Sequence, residues 1–207
     1  METTLFLVRH GETAWTTSRR VMGRRDVGLS DAGRTQAEQV ARHLYKVEVA
    51  EVLSSPLLRA FETAERVAAA HGIDVARDPR LVDVAPGRWE GMAWDEVAAS
   101  PEYRAFVRNP DATGFPDGEG LDVVRDRALA SIEQALEDNE LGANIVVVTH
   151  AGVIRVLLAH WLGMRLASYH RLRVGSGSVS VLRWGSDRER PRVLAVNHGD
   201  SLESVLA

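Results

Sequence analysis

The sequence predicts an α/β fold, a three-layer α/β/α sandwich built on a mostly parallel sheet. Two observations carry this reading. The runs "TLFLV" (residues 4–8) and "NIVVVT" (144–149) are apolar without interruption, as strands covered on both faces must be. Segments of helical periodicity fill the chain between and after them, so that strands and helices alternate.

The elements follow in order. The first strand ends on Arg9 and His10. "LSDAGRTQAEQVARHLYK" (29–46) has apolar residues at helical spacing behind Ser30, a natural N-cap. The β-like "EVLSS" (51–55) leads into "SSPLLRAFETAERVAAAHG" (54–72), where Pro56 suits a first helical position and Gly72 a stop. "LDVVRDRALASIEQALEDN" (121–139) is a third helix, and "AGVIRVLLAHWLG" (151–163) a fourth, apolar nearly all round. Short β-like runs recur at "SVSVLRW" (178–184) and "PRVLAVNH" (191–198). The stretch from about Pro86 to Gly120 differs, being rich in Gly, Pro and Trp, with short helical patches at "AWDEVAAS" (93–100) and "PEYRAFVRN" (101–109). It reads as a flap-like insertion at about 86–120 within a single domain of 1–207, or else as an irregular surface excursion.

Composition narrows the classes of function. A chain of 207 residues can bury roughly 70% of its unfolded surface, enough for a full core. A net charge of -4 gives no global pull toward nucleic acid or an anionic membrane, so any affinity for anions must be local. There are no cysteines, which removes disulfides, zinc-thiolate sites and thiol nucleophiles. No apolar run approaches the roughly 18 residues of a membrane helix, and a cytoplasmic protein is expected.

Arg9 and His10 stand where one buried strand ends, and His150 where the other does. In open α/β sheets that edge is where ligands bind. The amides of Ala151 and Gly152 open an apolar helix there and point unpaired N–H groups and a positive dipole end at the crevice. Arg59 begins another helix leaving the same edge, and two guanidinium forks grip a tetrahedral anion in a way lysine cannot. The implied ligand is a phosphate group.

"LVRHGETAW", "SSPLLRAFETA", "GRWEG" and "VVTHAGVIRVLL" together resemble, in order and spacing, the motifs of the histidine phosphatase superfamily, the phosphoglycerate mutase-like phosphatases. The resemblance runs from Leu5 to about Leu158 and weakens beyond. It implies a phosphoglycerate mutase-like fold and a phosphomonoester hydrolase of the histidine acid phosphatase type, needing no metal or other cofactor. His10 would be the nucleophile, Arg9 and Arg59 would hold the phosphoryl oxygens and His150 would donate to them. The acid in the family's "Leu-x-acid" segment maps to Asp83 in "RLVDVAPGRWEG", an aspartate where glutamate is common. Glu90 is the alternative acid, or a residue that holds the flap through backbone amides.

Thr13, Thr16, Met22 and Gly23 fall in segments that touch substrate in relatives, and Ala151 supplies an amide. Thr16 replaces a common asparagine, and the apolar Met22 replaces a polar residue, which argues against tight phosphoglycerate recognition. Arg19, Arg20, Arg24 and Arg25 either attract a second anion or form a solvated loop. His43, His71, His160, His170 and His198 have no supporting neighbours in the sequence. The expected function is a metal-independent phosphomonoesterase acting through phosphohistidine on a small phosphorylated metabolite, with a cofactor-dependent phosphoglycerate mutase as the alternative. A phosphate-binding module and a metallohydrolase with His10, His150 and Asp83 as ligands are the further readings, the latter opposed by two arginines in one pocket. A sheet edge near "SVSVLRW" would be the surface for a homodimer, if one forms.

Overall fold

A computed structural model describes residues 2–108, 114–199 and 202–206, the side chains at 203 and 204 excepted. Asn109, the end of one expected helical patch, and part of the 86–120 segment lie outside the described residues. One sheet of six strands organises the chain: β1 (Thr3–Arg9), β2 (Val49–Ser54), β3 (Val75–Arg77), β4 (Asn144–Thr149), β5 (Val179–Trp184) and β6 (Arg192–His198), in the spatial order β3-β2-β4-β1-β5-β6. The first four positions of that order are mutually parallel, while β5 opposes β1 and β6 opposes β5.

The helices are α1 (Ala14–Thr17), α2 (Asp31–Leu44), α3 (Leu58–His71), α4 (Trp94–Ala99), α5 (Pro101–Arg108), α6 (Leu121–Asp138), α7 (Ala151–Trp161) and α8 (Glu203–Leu206). None of the described helices is long and apolar enough to cross a membrane. Alternation along the strands feeds two cores. Leu5, Leu7, Ile145 and Val147 face α6 and α7, where Ile132, Val153 and Leu157 meet them. Phe6, Val8, Val146 and Val148 face α2 and α3, where Val40, Leu44, Ala64 and Val67 complete the packing. Both faces of the central strands are dry, which is why their sequence shows no polar alternation.

Two sequence expectations need correcting. Ser30 caps α2 by accepting from the Gly33 amide, and Gly72 ends α3 in the left-handed region at φ 68°, but α3 starts at Leu58 rather than Pro56. Ser55 is outside the helix because its hydroxyl is committed elsewhere: it accepts from the Leu57 amide at 3.3 Å and contacts His150 at 2.8 Å. The strand in "SVSVLRW" is not an edge, since β6 covers it, so the surface expected for a homodimer is interior. Strand β3, only three residues long, carries too few positions for a periodicity signal.

Two close approaches position the site. A Cβ at Gly11 would lie 2.3 Å from the Gly33 carbonyl oxygen, and one at Gly33 would lie 2.0 Å from that of Glu12, so the loop after β1 rests on the first turn of α2. At the other, the Arg88 amide donates to the Pro116 carbonyl and the Glu119 amide to the Ala85 carbonyl, closing the neck of the 86–120 segment. Trp89 anchors that segment, meeting Tyr103, Phe106 and Phe115 edge-on at 5.6 to 5.8 Å between ring centroids.

Candidate active site

The parallel register sets Arg9 opposite Thr149, so the residues that follow, His10 and His150, leave the sheet side by side. The His10 amide donates to the Thr149 carbonyl at 3.1 Å, and the two imidazole centroids are 5.1 Å apart. Register shifts of one residue reverse a strand's faces, so this adjacency is held by every apolar contact of β1 and β4.

His10 is buried, and its Nδ1 lies 2.7 Å from the Gly11 carbonyl oxygen. A carbonyl only accepts, so Nδ1 carries the proton and the lone pair resides on Nε2. The Arg59 Nε donates to that Nε2 at 3.3 Å. Burial, reinforced by the charges of Arg59 and then Arg9, holds the His10 pKa well below the usual histidine value. A neutral imidazole with an unprotonated ring nitrogen is the form a nucleophile requires.

Arg59, in the first turn of α3, is completely buried. Its Nη1 donates to the Arg25 carbonyl and its Nη2 to that of Gly23, each at 2.8 Å, while Nη2 also lies 3.2 Å from Asp83 Oδ2. Gly23 reaches this position with φ 54°, a left-handed backbone that glycine adopts freely. Arg9 gives Nη1 to the Val174 carbonyl at 2.8 Å and leaves Nε buried without a partner. Burial brings its pKa down to about 10, so it remains a cation at neutral pH.

His150 is the N-cap of α7, with no side-chain cap on the helix amides that follow, Ala151 first. Its Nε2 is 2.8 Å from the Ser55 hydroxyl, and its Nδ1 is buried without a hydrogen bond, 3.7 Å from Asp83 Oδ2. Burial, then Arg59, keeps it neutral well below the usual pKa. Asp83 receives the Val84 amide on Oδ1, and burial raises its pKa although Arg59 and Arg9 pull the other way. Two buried nitrogen atoms without hydrogen-bond partners, Arg9 Nε and His150 Nδ1, together with a helix N-terminus, describe a place for an oxyanion.

The remaining candidates take other positions. Thr13 caps α1, pairs with the Thr16 hydroxyl at 3.2 Å and donates to Met22 Sδ at 3.2 Å, so Thr16 and Met22 are tied into the loop's own bonding. Glu90 accepts from the Arg24 amide at 2.7 Å and pairs with Arg25 at 3.3 Å. Arg19 pairs with Asp95, Arg20 donates to the Gly91 carbonyl and Arg24 pairs with Glu119. Each arginine of the cluster thus has a partner in the 86–120 segment, while the side chains of Arg19, Arg24 and Arg25 stay 46 to 65% exposed. Sequence reading passed over Ser55 as a partner of His150. It also passed over Arg127, which binds Glu119 and donates to the carbonyls of Arg80 and Asp83. Among the described residues no three His, Asp or Glu side chains group as a metal site.

Two histidines buried neutral make stability depend on pH. In the unfolded chain each takes up a proton as pH falls below about 6.5, whereas the folded chain resists it. Their contribution is whole above that value and is lost on acidification. The raised Asp83 acts oppositely, favouring the fold below the unfolded carboxyl value and losing this as pH rises through its folded one. Asp78 and Glu119 have lowered pKa values, so their contributions fade only in more acidic solution than pH 5.5. Urea unfolding should show stability smaller by about 1–3 kcal/mol at pH 5.5 than at pH 7.5. Equal stabilities at the two values would mean that the histidines accept protons in the fold.

Comparison with known proteins supplies the context for this geometry. The family model of the histidine phosphatase superfamily (branch 1) matches residues 5–205. Phosphoglycerate mutase-like protein 4 of Arabidopsis thaliana is 43% identical over 158 residues, 74% of this chain and 68% of that protein. Phosphoserine phosphatase 1 of Hydrogenobacter thermophilus is 31% identical over 195 residues, 93% of this chain and 91% of its own. Among solved structures, a mycobacterial glucosyl-3-phosphoglycerate phosphatase complexed with VO3 superposes with a TM-score of 0.83 at 31% identity, covering 94% of this chain and 98% of that one.

Proposed function

Since the chain belongs to the histidine phosphatase superfamily, we propose that it is a metal-independent phosphomonoesterase of the histidine acid phosphatase type, acting on a small phosphorylated metabolite. The observation that carries this is the Nε2 lone pair of His10, kept neutral by burial and enclosed by Arg9, Arg59 and His150. Relatives named for phosphoserine and glucosyl-3-phosphoglycerate support the substrate class.

The steps follow from the donors. Arg9 Nε, the Arg59 guanidinium, His150 and the α7 amides take the phosphoryl oxygens. His10 Nε2 attacks phosphorus as the ester P–O bond breaks, forming phosphohistidine. Asp83 gives its proton to the departing alkoxide, a role its raised pKa suits, and then takes one from the water that attacks phosphorus and releases His10. Arg59 must give up its hydrogen bond to Nε2 in the process and turn toward the transferring oxygens.

Asp83→Asn tests the acid. Alkyl phosphate hydrolysis should fall by roughly 10²–10⁴ while p-nitrophenyl phosphate, whose leaving group needs no proton, falls far less. Equal losses on both esters would remove Asp83 from that role and return attention to Glu90. The choice between phosphatase and mutase is read by supplying 3-phosphoglycerate: free phosphate is expected, and accumulation of 2-phosphoglycerate would replace this reading with the mutase.

A further inference from the structure

Asp83 sits in a stretch that no ladder or helix holds. The single turn Pro79–Leu81 ends before it, and residues 82–86 belong to no helix or strand. Its carboxyl must nonetheless come within hydrogen-bond reach of a leaving oxygen, where a misplacement of about 1 Å can cost roughly 10²-fold in rate. Side chains from elsewhere supply the support. The Thr149 hydroxyl donates to the Leu81 carbonyl at 2.7 Å. Arg127, on α6, donates Nη1 to the Arg80 carbonyl at 2.5 Å and Nη2 to that of Asp83 at 3.3 Å. Asp83 is thus held twice, through its carbonyl by Arg127 and through Oδ1 by the Val84 amide at 2.9 Å.

Arg127 is itself fixed. Its Nε and Nη2 grip the two oxygens of Glu119 at 2.8 and 3.0 Å, a planar fork that lysine cannot reproduce. The two side chains are only 15% and 9% exposed, and Val124 and Ala128 anchor this part of α6 in the core. Glu119 Oε2 also receives the Ala85 amide at 3.3 Å and Arg24 Nη2 at 3.2 Å, while Arg24 Nε reaches the same Asp83 carbonyl at 3.4 Å. One carboxylate therefore gathers α6, the loop 19–25 and the backbone just after the acid. Buried ion pairs add little net stability over apolar residues of similar size, whereas the place of the Asp83 peptide depends on this one directly.

We propose that Arg127, locked by Glu119, is a positioning residue for the reaction: it fixes the Asp83 peptide so that the carboxyl stands where the leaving oxygen takes its proton. This role rests on the reading of Asp83 as the general acid and adds to it what aims that acid.

Leaving groups and the Asp83→Asn background test it together. The ratio kcat/KM reports steps only through phosphohistidine formation, so the later attack of water does not enter the comparison. For an alkyl ester, glycerol 3-phosphate, Arg127→Met should lower kcat/KM by roughly 10- to 100-fold, a part of the 10²–10⁴ that an acid supplies. For p-nitrophenyl phosphate, whose leaving group needs no proton, the loss should stay under about threefold. Inhibition by inorganic phosphate should likewise change by less than about threefold, since the oxyanion donors remain. With Asp83→Asn already present there is no acid left to aim, and adding Arg127→Met should cost the alkyl ester less than about threefold more. Glu119→Gln, which weakens the fork from its other side, should show the same pattern at smaller size. Arg127→Lys keeps the charge without the fork and should stay well below the wild type on the alkyl ester.

Equal losses on both esters, or a loss that multiplies in full with that of Asp83→Asn, would make Arg127 a support of the fold alone and overturn the positioning role, leaving Asp83 as the acid. Full activity in Arg127→Lys would assign the effect to charge and overturn it as well. Should Arg127→Met not fold, Arg127→Lys and Glu119→Gln decide by the same comparison of esters. If Asp83→Asn itself strikes both esters equally, or the wild type turns over neither, the reading of Asp83 fails first and the role of Arg127 falls with it.

Discussion

His10→Ala is expected to lower kcat/KM for p-nitrophenyl phosphate by at least ~10⁴-fold. The size follows from the lack of a substitute. His150 lies nearby, 5.1 Å between ring centroids, but its Nε2 is engaged with Ser55 and its Nδ1 is next to Asp83. Water attacking directly would have to do in one step what phosphohistidine divides into two. Arg9, Arg59 and His150 remain in the variant, so inorganic phosphate should still bind with an affinity within about tenfold of the wild type. Rapid acid-free quenching with labelled ester should trap a phosphoenzyme on His10 in the wild type and none in the variant. More than about one per cent residual activity, or label on another residue, would show that the attacking atom is elsewhere.

Arg59→Met carries the second large effect, because it strikes both the fold and the chemistry. The methionine occupies much of the same space but donates nothing. The carbonyls of Gly23 and Arg25 lose their donor and Asp83 its nearest cation, all in a buried setting. Breaking such a pair from one side costs roughly 3–5 kcal/mol, to be read as a lowered urea midpoint. Activity should drop by about 10³-fold, since the guanidinium proposed to turn toward the transferring oxygens is gone. A third readout separates chemistry from damage. Arg59 is the leading charge that depresses His10, so its removal should move the acid limb of the pH–rate profile upward, toward neutrality. A limb that stays in place would mean burial alone keeps His10 neutral.

The parts legible in the sequence were those written in local pattern. Uninterrupted apolar runs marked β1 and β4, a serine and a glycine marked the ends of α2 and α3, and a histidine after each buried strand marked the site edge. What escaped depends on partners distant in the chain. The arginines at 19–25 meet acids and a carbonyl between positions 90 and 119, and no local signal distinguishes such arginines from solvated ones. Ser55 resembles a cap until His150, 95 residues on, takes its hydroxyl. Thr16, expected to touch substrate, also fills one half of a capping box with Thr13.

The pairing of Arg9 with Thr149 joins positions 140 residues apart, since 149 minus 9 is 140. Loop closure over such a span is slow, and folds dominated by distant contacts form late and cooperatively. During synthesis β1 emerges first, yet both neighbours it will have in the sheet, β4 and β5, are still to be made. An apolar strand waiting with two open edges invites pairing with other chains. Expression yield should therefore respond to chaperone supply and temperature more than the finished protein's stability suggests, and catalytic activity should return during refolding only with the last kinetic phase.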